Sequence, residues 1–176
     1  MTSPQHEPLV ICDASPLILL AKIGQAGLLF QLADEIWIPE VVWDEITRKS
    51  GSQPEIPMLV SLFSQCVRSV DAALKSAFQT QVDADEAAAL ALAARYPEAV
   101  LLMDDFRGRQ VARHQGFRCM GTLGLLLRAK RQSLIHEVNP LLSLLKSHGM
   151  FVSYELEART LLAAGESASL FEDESE

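Results

Sequence analysis

Leu9-Val10-Ile11-Cys12-Asp13-Ala14-Ser15-Pro16-Leu17-Ile18 is the stretch on which the fold turns. Its first four residues are apolar without alternation, the pattern of a short strand buried on both faces. Asp13 ends that run. Ser15 and Pro16 then suit the start of a helix, Ser as N-cap and Pro at the first helical position. The helix is expected over Leu17 to Ile23.

The alternation repeats downstream. A short helix is expected over Gln25 to Leu32 and a second strand over Glu35 to Ile38, and Pro39 starts a helix through Val41, Val42, Glu45 and Ile46 that ends near Gly51. Residues 50 to 57 carry Gly51, Pro54 and Pro57 and read as a loop. Met58 to Phe63 predicts a short helix, Cys66 to Val70 an edge strand, and Asp71 to Gln79 a weak helix. Asp83 to Arg95 is rich in Ala and Leu, with acids in the first turn where they favour the helix dipole. Val100 to Met103 is a third core strand, ending at Asp104 and Asp105. Phe106 to Gln115 is a helix stopped by Gly116; Arg118 to Met120 is a short strand; Thr122 is expected to cap a helix over Leu123 to Arg131. Two further helices are expected, from Asn139 and Pro140 to His148 and from a Ser153 cap to Ala164. Strand and helix in alternation predict an α/β protein, a parallel sheet covered by helices on both faces. In such sheets ligands bind beyond the carboxyl ends of the strands. Asp13, Asp104 and Asp105 all belong to that end.

Composition narrows the class. At 176 residues, 49% hydrophobic and 22% charged, the chain can bury one proper core and shows no disordered or fibrous bias. Residues 1–8 are expected to form a flexible leader, 9–164 one domain, and 165–176 an acidic tail. The N-terminus has no apolar signal core, and the longest apolar runs, such as Ala87 to Ala94, are far too short for a membrane span. The expected location is therefore cytoplasmic, without a membrane partner. Cys12, Cys66 and Cys119 are odd in number and scattered among apolar residues, so buried free thiols are expected. The four histidines show no zinc spacing, and no GxGxxG, P-loop or G-x-S-x-G pattern occurs. A net charge of -8 argues against a generic nucleic-acid binder. It is softened by the acids of the tail and by any cation the remaining acids hold.

Those acids form a series. Asp13 ends a strand, Glu45 lies inside a helix, Asp83, Asp85 and Glu86 open another, and Asp104 and Asp105 end a second strand. Each alone reads as well as a turn former, a cap or a solvated position. Together, carboxylates within a few ångströms repel and raise one another's pKa unless a cation compensates. Magnesium takes oxygen ligands, typically one or two carboxylates with waters and phosphate oxygens. Phosphodiester hydrolysis is the chemistry that fits.

The same residues carry a resemblance. Val10-Ile11-Cys12-Asp13-Ala14-Ser15-Pro16-Leu17-Ile18 resembles the opening of PIN domains. Pro39 to Ile46 resembles their second acidic element, with Glu45 in the ligand place. Asp83-Ala84-Asp85-Glu86 is similar to the third, and Leu101 to Asp105 with Arg107, Gly108, Arg109 and Ala112 to the fourth. Gly121-Thr122-Leu123-Gly124 with Arg128-Ala129-Lys130 resembles, more narrowly, a PIN-like family related to VapC-type toxins. Asp85 stands where many relatives have Gly, and Ala88 where many have another acid. The resemblance implies a three-layer α/β/α fold with about five parallel strands. It also implies a Mg2+- or Mn2+-dependent ribonuclease, often a homodimer, paired as a toxin with a small antitoxin protein. Carried over, Asp13, Glu45, Glu86 and Asp104 are the expected metal ligands and catalytic residues. Asp105 is an alternative to Asp104, and Asp83 or Asp85 an alternative at the third element. Ser15 would hydrogen-bond to a ligand, and Thr122 would sit near the bound phosphate. Arg107, Arg109 and Lys130, with Arg113, Arg128 and Arg131, are the candidate contacts to RNA.

Two other readings remain open on sequence alone. A PIN-like module could bind nucleic acid or protein without catalysis. An aspartyl phosphotransfer protein could also place Asp13 at a strand end, although it usually wants a second Asp where Ser15 stands.

Overall fold

A computed structural model of the chain describes residues 7–49 and 53–167. The remaining residues of the expected leader and acidic tail, and part of the loop at 50–57, lie outside the described residues. Five strands, β1 (Glu7–Cys12), β2 (Ala33–Pro39), β3 (Val67–Arg68), β4 (Val100–Leu102) and β5 (Arg118–Met120), form one sheet in the order β3-β2-β1-β4-β5. Every neighbouring pair is parallel. The connections are helical, as parallel crossovers require. They are α1 (Ala14–Lys22), α2 (Leu28–Leu32), α3 (Glu40–Lys49), α4 (Ile56–Phe63), α5 (Ala72–Phe78), α6 (Ala84–Arg95), α7 (Phe106–His114) and α8 (Thr122–Arg131). Helices α9 (Asn139–Ser147) and α10 (Tyr154–Ala164) follow.

Alternate residues of β1 point to opposite faces. Val10 and Cys12 join a core built with α1, α2, α3, α4, α8, α9 and α10. Leu9 and Ile11 join a second core with α6, Phe78 and Ala112. The sheet is thus buried on both sides, which is why β1 reads as a continuous apolar run and the architecture is three-layer α/β/α. Among the described residues no helix is long and apolar enough to cross a membrane.

Several local boundaries differ from the sequence reading. β1 starts at Glu7, not Leu9, because the Glu7 carboxylate is buried and receives Arg118 Nη2 at 2.7 Å and the Arg128 guanidinium. α1 starts at Ala14 with Asp13 in the cap position, so Ser15 and Pro16 lie inside the first turn, where a missing N–H costs nothing. Gly121, not Thr122, occupies the cap position of α8. α10 ends at Gly165 in the left-handed region (φ 68°), and Glu166 then accepts the Val138 and Asn139 N–H groups at 2.7 and 2.8 Å. Glu166 is therefore tied to the N-terminus of α9 as part of the folded unit. Cys12 is buried, and burial pushes its thiol up; Cys66 and Cys119 are only half-buried, and all three are free.

Candidate metal centre

The strand order reverses between β1 and β4, which lie side by side at the centre of the sheet. Such a switch point opens a crevice beyond the carboxyl ends of the strands. Asp13 follows β1 and Asp104 follows β4, and the Asp13 N–H donates to Leu102 O at 3.0 Å, fixing the two ends together. A cleft of about 610 Å³ opens there. Its walls carry Asp13, Glu45, Asp83, Asp85, Glu86, Asp104 and Asp105, with Ser15 beside Asp13. Carboxylates up to 92 positions apart in the chain, Asp13 and Asp105, therefore face one space.

The cleft is electrostatically loaded. Asp13 is only 6% exposed. Its burial, and then the charges of Glu45, Asp104 and Asp105, push its carboxyl up to about 6, against a partial opposing effect of the Ala14 N–H. Glu86 is pushed to about 7, by desolvation first and then by Asp105 and Asp13, and its side chain also hydrogen-bonds to that of Asp105. Two carboxyl groups in contact hold either a shared proton or a cation between them.

Protein donors hold the other acids. Asp104 Oδ1 accepts the Thr122 N–H at 2.7 Å and its Oδ2 accepts the Thr122 hydroxyl at 2.6 Å. Asp105 Oδ1 caps α7 by accepting the Gly108 N–H at 2.8 Å. Glu86 Oε2 accepts the Asp83 N–H at 3.3 Å. Gly121 makes room for this packing: a Cβ there would lie 2.9 Å from Asp104 Oδ1 and 2.8 Å from Arg109 Nη1. A Cβ at Gly108 would meet Met103 Sδ at 2.4 Å and Glu86 Cδ at 3.2 Å.

The donor set suits a hard divalent cation in kind, being carboxylate oxygen throughout. Among the described residues, however, no three Asp, Glu, His or Cys side chains are grouped closely enough to hold an ion as they stand. The physical reason is visible in the hydrogen bonds. The Thr122 and Gly108 N–H groups hold Asp104 and Asp105, and Glu86 is shared between the Asp83 N–H and Asp105, so these carboxylates are drawn to separate donors at the starts of α6, α7 and α8.

The basic candidates are placed less uniformly. Arg109 is half-buried behind Asp104, against Gly121. Arg107 is exposed on α7 and faces a separate groove. Lys130, an expected RNA contact, is bound to Glu166 at 24% exposure and does not line the cleft. Arg128 is bound to Glu7 at the opposite pole of the sheet, about 20 Å from Asp13 along β1. α8 begins at the site but runs away from it, so its last turn, with Arg131, is remote. The reading missed the loop after α9: His148, Gly149, Met150 and Phe151 form one wall of the cleft. The left-handed Gly149 (φ 93°) that turns the chain there was the available signal.

A family model described as a PIN domain matches residues 9–166 of the chain. No curated protein matches it.

Proposed function

The chain belongs to the PIN-domain family, a fold of nuclease type that is generally metal-dependent, and on that premise we propose that it is a Mg2+- or Mn2+-dependent endoribonuclease. The observation that carries the proposal is the convergence of Asp13, Glu45, Glu86 and Asp104 in one cleft at the β1/β4 switch point. These four residues would hold the ion, with Asp85 and Asp105 beside them. A divalent cation held there supplies a Lewis acid for the phosphodiester and an activated water. The chain's own residues orient and restrain. Thr122 donates twice to Asp104 and keeps that carboxylate from rotating. The Asp13 backbone is pinned to Leu102. The first turns of α7 and α8 bind Asp105 and Asp104 through the Gly108 and Thr122 N–H groups, and the positive ends of these helices favour negative charge at the cleft.

The finer reading is a VapC-like toxin whose cleft is blocked by a small antitoxin protein, working as a homodimer in the cytoplasm. The exposed Leu144, Leu156 and Leu162 on α9 and α10 support an apolar interface. Purified protein is expected to cleave single-stranded RNA with manganese and to bind manganese by calorimetry. Asp13→Asn should abolish both. Absence of manganese binding by the wild type would leave a binding module without catalysis; equal cleavage by the variant would mean a contaminating nuclease.

A further inference from the structure

A second, smaller groove of about 300 Å³ runs along α7, lined by Thr80, Gln81, Arg107, Gln110, Val111 and His114. Two chain segments contribute to both hollows. Residues 80–81 line the groove and residues 83–86 the cleft; Arg107 to His114 line the groove and Asp104 and Asp105 the cleft. Arg107, Gln110, Val111 and His114 recur at helical spacing and so form one stripe of α7, about 10 Å long. In a chain of net charge -8 this groove contains no carboxylate. Its polar groups are a guanidinium, two amides, a hydroxyl and an imidazole. Among the described residues, most cations are in ion pairs, whereas Arg107 is in none. At the junction, between Asp105 of the cleft and Arg107 of the groove, the Phe106 ring is 64% exposed.

A charged track that follows a backbone, with an aromatic ring on which a base can stack, is the combination that binds single-stranded nucleic acid. We propose that a single RNA strand passes from the carboxylate cleft across Phe106, one base stacked on its ring, and lays its next phosphates in the α7 groove against Arg107. The proposal rests on the ribonuclease reading and adds the path of the strand beyond the cleft. A duplex cannot offer an unstacked base to Phe106.

The test uses a short fluorescent RNA and the full chain in EDTA, with binding followed by anisotropy over a range of salt. Phe106→Ala should weaken binding about five-fold or more. Arg107→Gln should lower the slope of log affinity against log salt by about 0.7. Arg131→Gln, exposed at the remote end of α8, should change neither, and all three variants should keep the wild-type manganese titration, which shows that the fold and the cleft survive. Wild-type affinity and slope in both Phe106→Ala and Arg107→Gln would overturn the path while leaving the ribonuclease reading intact. Duplex RNA competing as well as single strand would do the same. A wild type that binds no RNA in EDTA at any salt would overturn the path, because the α7 groove holds no carboxylate and needs no ion; the ribonuclease reading would then still stand or fall on manganese-dependent cleavage.

Discussion

Replacing Asp13 by Asn should make the metal-free protein more stable at alkaline pH, although it destroys the site. The carboxyl titrates near 3.8 when unperturbed and at about 6 in the fold. The folded state therefore holds this proton more tightly than the unfolded chain. Below about pH 3 both states are protonated and the group is neutral in its effect. As pH rises, the unfolded chain ionises first, and the fold loses stability until pH exceeds the folded value. Full loss corresponds to about 3 kcal/mol at 1.36 kcal/mol per pKa unit. Asn carries no charge and escapes that loss. Its side-chain oxygen accepts the Ala14 N–H less strongly than a carboxylate, which takes back about 1 kcal/mol. The net gain of about 2 kcal/mol should raise the melting temperature by about 4–8 °C at pH 8 in EDTA, and the gain should vanish at about pH 3. Calorimetric scans at the two pH values measure it. Saturating manganese should invert the order at pH 8, since an ion at a hundred times its Kd adds about 2.7 kcal/mol to a protein that binds it. A variant less stable than wild type in EDTA at pH 8 would refute the argument, because Asp13 would then be a stabilising group and not a compressed charge.

Three other substitutions separate the functions of the residues around it. Thr122→Val keeps the buried shape but removes the hydroxyl donor to Asp104; manganese affinity by calorimetry should fall about ten-fold or more, with a stability loss of about 2 kcal/mol in urea titration. Gly121→Ala places a methyl against Arg109 Nη1 and against Asp104 Oδ1, which Thr122 holds by two hydrogen bonds, so it should cost about 1–3 kcal/mol in urea titration, and cleavage should drop as Asp104 is displaced. Glu7→Ala leaves two guanidinium groups without their shared buried carboxylate and should cost about 3 kcal/mol. Its manganese titration should stay at wild-type values, because Glu7 and the cleft lie at opposite ends of β1.

The sequence shows the scaffold best where burial is complete. Leu9 to Cys12 and Val100 to Leu102 are buried on both faces, and only a central parallel strand needs such runs, so their places in the sheet could be read directly. The carboxylates that end them could be read for the same reason, since the chain must surface at the end of each core strand. Boundaries that depend on distant partners could not. Glu7 looks like part of a polar leader until Arg118 and Arg128, over a hundred positions away, are seen to hold it. Thr122 looks like a helix cap because Ser and Thr commonly are; its hydroxyl serves Asp104 instead. Lys130 looks available for RNA until Glu166 is placed beside it. In each case the local pattern was ambiguous and a long-range ion pair or hydrogen bond decided the outcome.

The charge distribution explains how an acidic chain can still be suited to RNA. Phosphate binding depends on where uncompensated cations lie, not on the total. Here Arg118 and Arg128 are spent on Glu7, and Lys130 on Glu166, all at positions where they hold the fold. Among the described residues, three of the five arginines outside any ion pair, Arg107, Arg109 and Arg113, lie on α7, which begins at the carboxylate cleft. The cleft itself repels a phosphate until a divalent ion neutralises it, and its raised Asp13 and Glu86 carboxyls register that imbalance. Substrate binding and metal binding should therefore be coupled: RNA affinity ought to rise with manganese in the wild type but not in Asp13→Asn. By reciprocity, RNA must raise manganese affinity by the same factor. If RNA binds equally well with and without the ion, the phosphate does not enter the cleft, and the acids there serve something other than cleavage.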